Sequence, residues 1–316
     1  MRIQSKVFRF AIFSLIALSV VSCSKDNSTN SGSMGTVSFE MTDAPCDNAD
    51  VQGVFVTVAA IKVDGKAIDG FSKTTIDLAA YQRGNTKVLG STTLNANTYS
   101  NVTLVLDNAS DQSGTSPGCY VLTKSSGKKA LATAASTTEI TLTGSFKSTA
   151  NQSSTAVMDF DLRKTIAYDG TSGYKFATNG ELTSGVRVVQ KSETGVIKGS
   201  SSNTSTTSSD KVIVYAYKKG TYNKTTEMQP QGNSNIEFKN AVSSCTVLND
   251  AYELHFLESG DYELHFVSYK DKNSDGKEDI QGEFQTSVIG GLNLSALNIS
   301  SSATVTANVT LIAVVP

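Results

Sequence analysis

The strongest constraint on the fold of this chain is a period of two. Val37, Phe39 and Met41 alternate with Ser38, Glu40 and Thr42, which sets one side of an extended segment on a core and the other in water. Short runs rich in Val, Ile, Thr, Tyr and Phe, bounded by turn residues, recur at 53–64, 74–78, 98–107, 119–123, 139–146, 155–162 and 186–190. Only 78–83 has the spacing of a helical turn. With 4 prolines and no tryptophan among 316 residues, and with Ser, Thr, Asn and Gly between the runs, the pattern predicts an all-β chain built as two β-sandwich domains in tandem.

The first 22 residues stand apart. Arg2, Lys6 and Arg9 precede an apolar run, 10–21, too short to span a bilayer comfortably and suited to a secretory signal. Val20-Val21-Ser22-Cys23 resembles a bacterial lipobox. The resemblance implies that 1–22 is a lipoprotein signal peptide and that Cys23 carries palmitate-type chains, each buried methylene contributing ~0.8 kcal/mol to a membrane tether. Residues 23–34 are small and polar, a flexible leash. Ser24 behind the cysteine resembles outer-membrane lipoproteins, and the leash resembles those of surface-exposed Bacteroidetes lipoproteins; which face the protein occupies stays open. At about 150 residues per domain, the remainder divides into 35–192 and 193–316. A net charge of −2 argues against nucleic acid as a partner.

In the first domain, Gly35-Thr36-Val37, Thr42-Asp43-Ala44-Pro45, the run 54–63, Leu94 to Tyr99 and Val157-Met158-Asp159-Phe160-Asp161-Leu162 resemble the bacterial lipoprotein family of domain of unknown function 4382. Membership implies an exported β-sandwich and no known reaction. Cys46 and the polar stretch 110–118 depart from the family pattern. The second domain reads as a small prealbumin-like or immunoglobulin-like sandwich. Gly260-Asp261-Tyr262-Glu263-Leu264 resembles the carboxypeptidase-regulatory type. Residues 200–209 read as a long loop, 235–239 and 241–248 as strands, and 303–315 as the closing strand.

Candidate site residues are few. With Cys23 acylated, Cys46, Cys119 and Cys245 are left in a compartment that permits disulfides. Cys46 with Cys119 is the favoured bridge, stabilising by ~4 kcal/mol; three reduced thiols is the alternative. Asp159 and Asp161 share a strand face, which suits either a hard cation or a solvated surface next to Arg163 and Lys164, with Asp43 capping its own turn. Tyr252-Glu253-Leu254-His255-Phe256 recurs as Tyr262-Glu263-Leu264-His265-Phe266; paired as a hairpin, the repeats bring two His and two Glu together, ligand types that zinc accepts. The sharpest signal is Asp271-x-Asn273-x-Asp275-Gly276-x-x-Asp279. Oxygen ligands around a turn glycine match the front of an EF-hand-type loop, a structural Ca²⁺ site on strands rather than helices, with a polar turn as the plain alternative.

No nucleophile elbow, zincin motif or phosphate loop is present, so the chain reads as non-enzymatic. The expected role is a lipid-anchored envelope surface protein that binds, adheres or builds structure, with an unknown protein or glycan ligand. A carbohydrate-binding accessory of a polysaccharide-uptake system, using Tyr215, Tyr217 and Tyr222, is one alternative. A fimbrial subunit donating 303–315 to a neighbour is the other.

Overall fold

A computed structural model describes residues 33–44, 50–131, 133, 135–168, 173–273 and 278–316. In the N-terminal half the principal strands are β1 (Met34–Ala44), β2 (Val51–Val63), β3 (Lys87–Asn95), β4 (Val102–Asp107), β5 (Tyr120–Thr123), β6 (Ser153–Asp161) and β7 (Val186–Gln190). One sheet runs β7-β6-β1-β3, with β1 and β6 parallel, and a second is built on β4-β2-β5. Their inner faces supply the alternating residues that the period of two marks: Val37, Phe39 and Met41 from β1 meet Val54, Val56 and Val58 from β2. Tyr99 and Phe146 extend this core, and Phe39 meets Phe146 edge to face at 5.4 Å.

The C-terminal half holds β8 (Thr194–Asn203), β9 (Lys211–Lys218), β10 (Ser243–Thr246), β11 (Ala251–Glu258), β12 (Gly260–Lys270), β13 (Asp279–Val288) and β14 (Val309–Val315). Their order is β10-β9-β12-β13-β14-β8-β11. Among the described residues no strand of one half pairs with a strand of the other, and all of them lie within one compact unit, Gly32–Pro316.

Several expectations change. The repeats on β11 and β12 are not hairpin partners: β11 pairs with β8, and β12 with β9 and β13. Both present apolar faces to the same core, where the Tyr252 and Phe266 rings meet edge to face at 5.3 Å. Burying two such faces against each other requires that the strands sit in different layers, and Ser259-Gly260 serves as a corner. Ser200 to Asn203 is strand rather than loop, since Ser200 pairs with Ala251 and Ser201 with Val309. Residues 235–239 form no strand; they are turns laid over β9, burying Phe238 against Tyr215. The chain end breaks into Thr304–Thr306 and β14, and β14 is interior, bonded to β13 along its length and to β8 at its start.

The outer face of the first sheet is also not the solvated surface that alternation suggests. Glu40, Thr42, Asp159 and Asp161 are all buried. Val157 and Val189 on that face pack against Phe256 of β11, so the second half covers it. A period of two separates two faces without saying what lies on the polar one.

Candidate functional site at the seam

β6 ends in a single helical turn, α1 (Leu162–Thr165), started by Asp161. The Asp161 carboxylate accepts the Arg163 N–H at 3.1 Å, and Thr165 Oγ1 donates to the Asp161 carbonyl at 2.7 Å. This turn aims two cations into the other half. Arg163 donates from Nη2 to Asp161 Oδ2 at 3.0 Å and from Nε to Ser244 Oγ at 3.1 Å, with its guanidinium over the Tyr215 ring at 4.7 Å. Lys164 donates to the Ala241 carbonyl and stands 3.6 Å from Asp161 Oδ2. On the neighbouring strand, Arg187 grips Asp159 Oδ2 through Nε at 3.0 Å and Nη2 at 2.7 Å. Asp43 Oδ1 accepts the Leu162 N–H at 3.2 Å.

Burial, reinforced by Asp161 and Asp159, pushes the Asp43 carboxyl well above its ordinary value. Burial likewise lowers the Lys164 ammonium, with Asp161 opposing it. Removing one partner from such a cluster strands the other charge away from water, at a cost of about 3–5 kcal/mol. Chemically, Asp159, Asp161, Arg163, Arg187 and Lys164 are tied to one another within the first half, and Arg163 and Lys164 reach Ser244 and the Ala241 carbonyl across the seam.

A second clasp lies nearby on α2 (Asn179–Gly185). Thr178 precedes this helix and Glu181 is its third residue, so the carboxylate returns to the Thr178 N–H at 3.1 Å and Oγ1 at 2.6 Å, a capping box. From the other half, Ser234 donates its N–H to Oε1 at 3.2 Å and its hydroxyl to Oε2 at 2.5 Å. Burial opposes the charge, yet the Ser234 and Thr178 donors outweigh it and hold the carboxyl down at about 2.

Between α1 and residues 234–238 lies a cavity of about 130 Å³. Val54, Val121, Leu162 and Ile236 line its interior, and Tyr168, 43% exposed, stands at its mouth with Asn235. Tyr168 lies on Ile166–Tyr168 and pairs with Tyr174 on Tyr174–Phe176, their rings 5.0 Å apart. Neither the cavity nor the Glu181 clasp was signalled by the residues considered above, although Thr178-x-x-Glu181 is a legible helix-start pattern.

The predicted site residues scatter. His255 pairs with Glu253 at 2.9 Å, whereas His265 pairs with Glu283 at 2.5 Å and stacks on Tyr222 at 3.6 Å; the layered arrangement of β11 and β12 keeps the two imidazoles from converging. Among the described residues no group of three or more His, Cys, Asp or Glu is placed to hold a metal. Asp271, Asn273 and Asp279 lie at the hairpin joining β12 and β13, where the Asp271 N–H is donated to Asp210 Oδ2 at 3.1 Å and the Lys272 N–H to Asp279 Oδ2 at 3.4 Å. Asp275 lies outside the described residues, as do Cys23 and Cys46. Cys119 is a buried free thiol whose Sγ donates to the Asp107 carbonyl at 3.4 Å; Cys245 is free and buried as well. Tyr215 and Tyr217 are wholly buried, and Tyr222 packs against their cluster, so these rings are core and form no aromatic platform. No helix among the described residues is long and apolar enough to cross a membrane.

A family model described as Domain of unknown function (DUF4382) matches residues 34–178. No curated protein matches the chain. Among solved structures, the chain is similar to the Bacillus anthracis TIE protein at 8% identity and a TM-score of 0.19; the match takes in 88% of this chain, which spans about a third, 34%, of that protein. The minor pilin GBS52 of Streptococcus agalactiae matches at 12% identity and a TM-score of 0.21, over 88% of this chain and 96% of the pilin. The fimbrial anchor protein Mfa2 from Porphyromonas gingivalis matches at 9% identity and a TM-score of 0.21, over 88% of this chain and 90% of its own.

Proposed function

Residues 34–178 are a domain of the DUF4382 family, and from that premise we propose that the chain is a non-enzymatic, lipid-anchored protein of the cell envelope, which holds a two-part β body at the outer membrane for binding or adhesion. The anchor is Cys23, behind the basic and apolar residues of 2–21. The observation that carries the reading is the seam. Asp159 is bound to Arg187 and Asp161 to Arg163 within the first half, and from there Arg163 reaches Ser244 and Lys164 the Ala241 carbonyl, so the charged groups are held in pairs and two of them join the halves. A body held together this way can present a surface while resisting displacement of one half against the other.

The test is fractionation of cells expressing wild type and Cys23→Ser under metabolic labelling with palmitate. The reading expects wild type to be labelled and recovered with outer membranes, and C23S to be unlabelled and released from them. Wild type found unlabelled in the soluble fraction overturns it.

A further inference from the structure

We propose that β3 is a docking edge for a second copy of this chain, the two β3 strands pairing antiparallel about a twofold axis at Ser91. β3 ends the first sheet, and among the described residues β1 is the only strand bonded to it. Its far side therefore carries backbone N–H and C=O groups with no strand to take them. The one hydrogen bond that reaches the main chain of 88–94 from elsewhere in the described residues is donated by Ser148 Oγ to the Leu94 carbonyl at 3.2 Å. Proteins guard such edges with charge, proline or very short strands. The facing sheet does so: its outer strands are Gly127–Ala130, which carries Lys128 and Lys129, and Thr137–Thr141, where Glu139 pairs with Lys62. β3 has neither charge nor proline from Val88 to Asn95, and only a bulge at Leu89 interrupts it. A neutral edge of this kind is matched by another neutral strand, and β3 itself is one.

The register follows from the strand. With the axis at Ser91, Gly90 faces Thr92 of the other copy. Past the bulge, which shifts β3 by one residue against β1, Val88 faces Thr93 and Lys87 faces Leu94, so every residue from Lys87 to Leu94 except Leu89 is matched. An axis at Thr92 would draw in Ala96, whose N–H is already given to the Ser33 carbonyl. An axis at Gly90 would leave Thr93 and Leu94 unmatched. Side chains agree with this choice: Val88 is 58% exposed and Thr93 is exposed as well, and two β-branched residues facing each other across strands stabilise a sheet. Charge favours the same register. The second copy's Lys87 arrives beside Leu94, which with Met34 and the exposed Ala67 lines a groove of about 290 Å³. The groove's rim holds the exposed Asp64 and Asp69 against a single Lys66, so each copy offers a lysine to an acidic rim on the other. The twofold axis makes this contact twice and closes the assembly at two copies.

The proposal goes beyond the anchoring reading and needs neither lipid nor envelope, so the two fail separately. A contact along one strand lies at the low end of interface sizes, below ~1,200 Å², and the dimer should dissociate at roughly 10–300 µM. Sedimentation equilibrium of the purified full chain over roughly 5–500 µM should show a reversible monomer and dimer. Ser91→Lys with Thr93→Lys places like charges at the axis on exposed positions and should weaken dimerisation about tenfold or more with the melting temperature unchanged. Lys87→Glu, turned against Asp64 and Asp69, should weaken it a few-fold. Residues that face each other in an antiparallel pair lie ~4.5–5.5 Å apart, within disulfide reach. Ser91→Cys, mildly oxidised, should therefore give a dimer linked through the two substituted positions, located by mass spectrometry of the linked peptide and absent from wild type. Should the lysines lower the melting temperature, this linkage decides. A monomer throughout the range, a dimer that S91K with T93K leaves unchanged in an intact fold, assembly that runs on past two copies, or no linkage through position 91 overturns the proposal.

Discussion

Substituting Glu181 by Gln tests the seam through one carboxylate that both halves hold. The gap between the ordinary value of 4.5 and about 2 is equivalent to about 3 kcal/mol of preference for the ionised side chain in the folded protein. The hydrogen bonds give the same scale. Two N–H groups and two hydroxyls converge on the carboxylate at 2.5 to 3.2 Å, and a glutamine can accept at one oxygen while turning its own N–H₂ against the remaining donors. A loss of about 2–3 kcal/mol at pH 7 is expected, since bonds to a charged acceptor each contribute about 1.5–3 kcal/mol. Because the folded value is depressed, this stabilisation is complete above pH 4.5 and disappears as pH falls toward 2. Urea unfolding of wild type and E181Q at pH 7, 5, 4 and 3 should give a difference that is largest at pH 7 and shrinks steadily below pH 4.5. In a double-mutant cycle with Ser234→Ala, a coupling of about 1–2 kcal/mol should lie across the seam. A difference below about 1 kcal/mol at pH 7, or one that does not shrink on acidification, refutes the reasoning.

Burial pushes the Cys119 thiol up to about 11 and the Cys245 thiol up to about 12, so at pH 8 both should react with a soluble thiol reagent far more slowly in the native protein than in urea; labelling at the rate of a free thiol in the native state contradicts their placement. Gly199 approaches the crossing backbone so closely that a Cβ there would lie 1.9 Å from the Ala307 carbonyl oxygen, so Gly199→Ala should cost about 3 kcal/mol by forcing β8 from the 304–311 segment, read out as a shift of the urea midpoint, and an unchanged midpoint rules this out. For the loop of Asp271, Asn273, Asp275 and Asp279, calcium should raise the melting temperature of wild type and leave Asp271→Ala with Asp275→Ala unmoved; equal melting of wild type in calcium and in chelator removes the calcium proposal.

Strand existence was legible because alternation is local: Val37, Phe39 and Met41 need only their own neighbours to reveal a core face. Pairing was not. The two Tyr-Glu-Leu-His-Phe segments look like a hairpin because they repeat, yet each finds its partner far along the chain, β11 on β8 and β12 on β9. Asp159 and Asp161 read equally well as a solvated face, since charge on alternate residues cannot distinguish water from a second layer bearing Ser244 and Ala241. Ser200 to Asn203 has a loop's composition, and only its contacts with Ala251 and Val309–Leu311 make it strand. Thr178-x-x-Glu181 did carry a helix signal, but the helix it starts is seven residues long, too short to show an apolar stripe. Cavities are invisible in sequence, because the lining residues come from segments distant along the chain.

Attachment of this protein to the membrane rests on the acylated amino terminus. Intact mass and terminal peptide mass of the protein extracted from membranes should show residues 1–22 removed and Cys23 carrying a diacylglyceryl group, with or without a third acyl chain on its amine. An unmodified Cys23 at the terminus, or a chain that keeps residues 1–22, would contradict it.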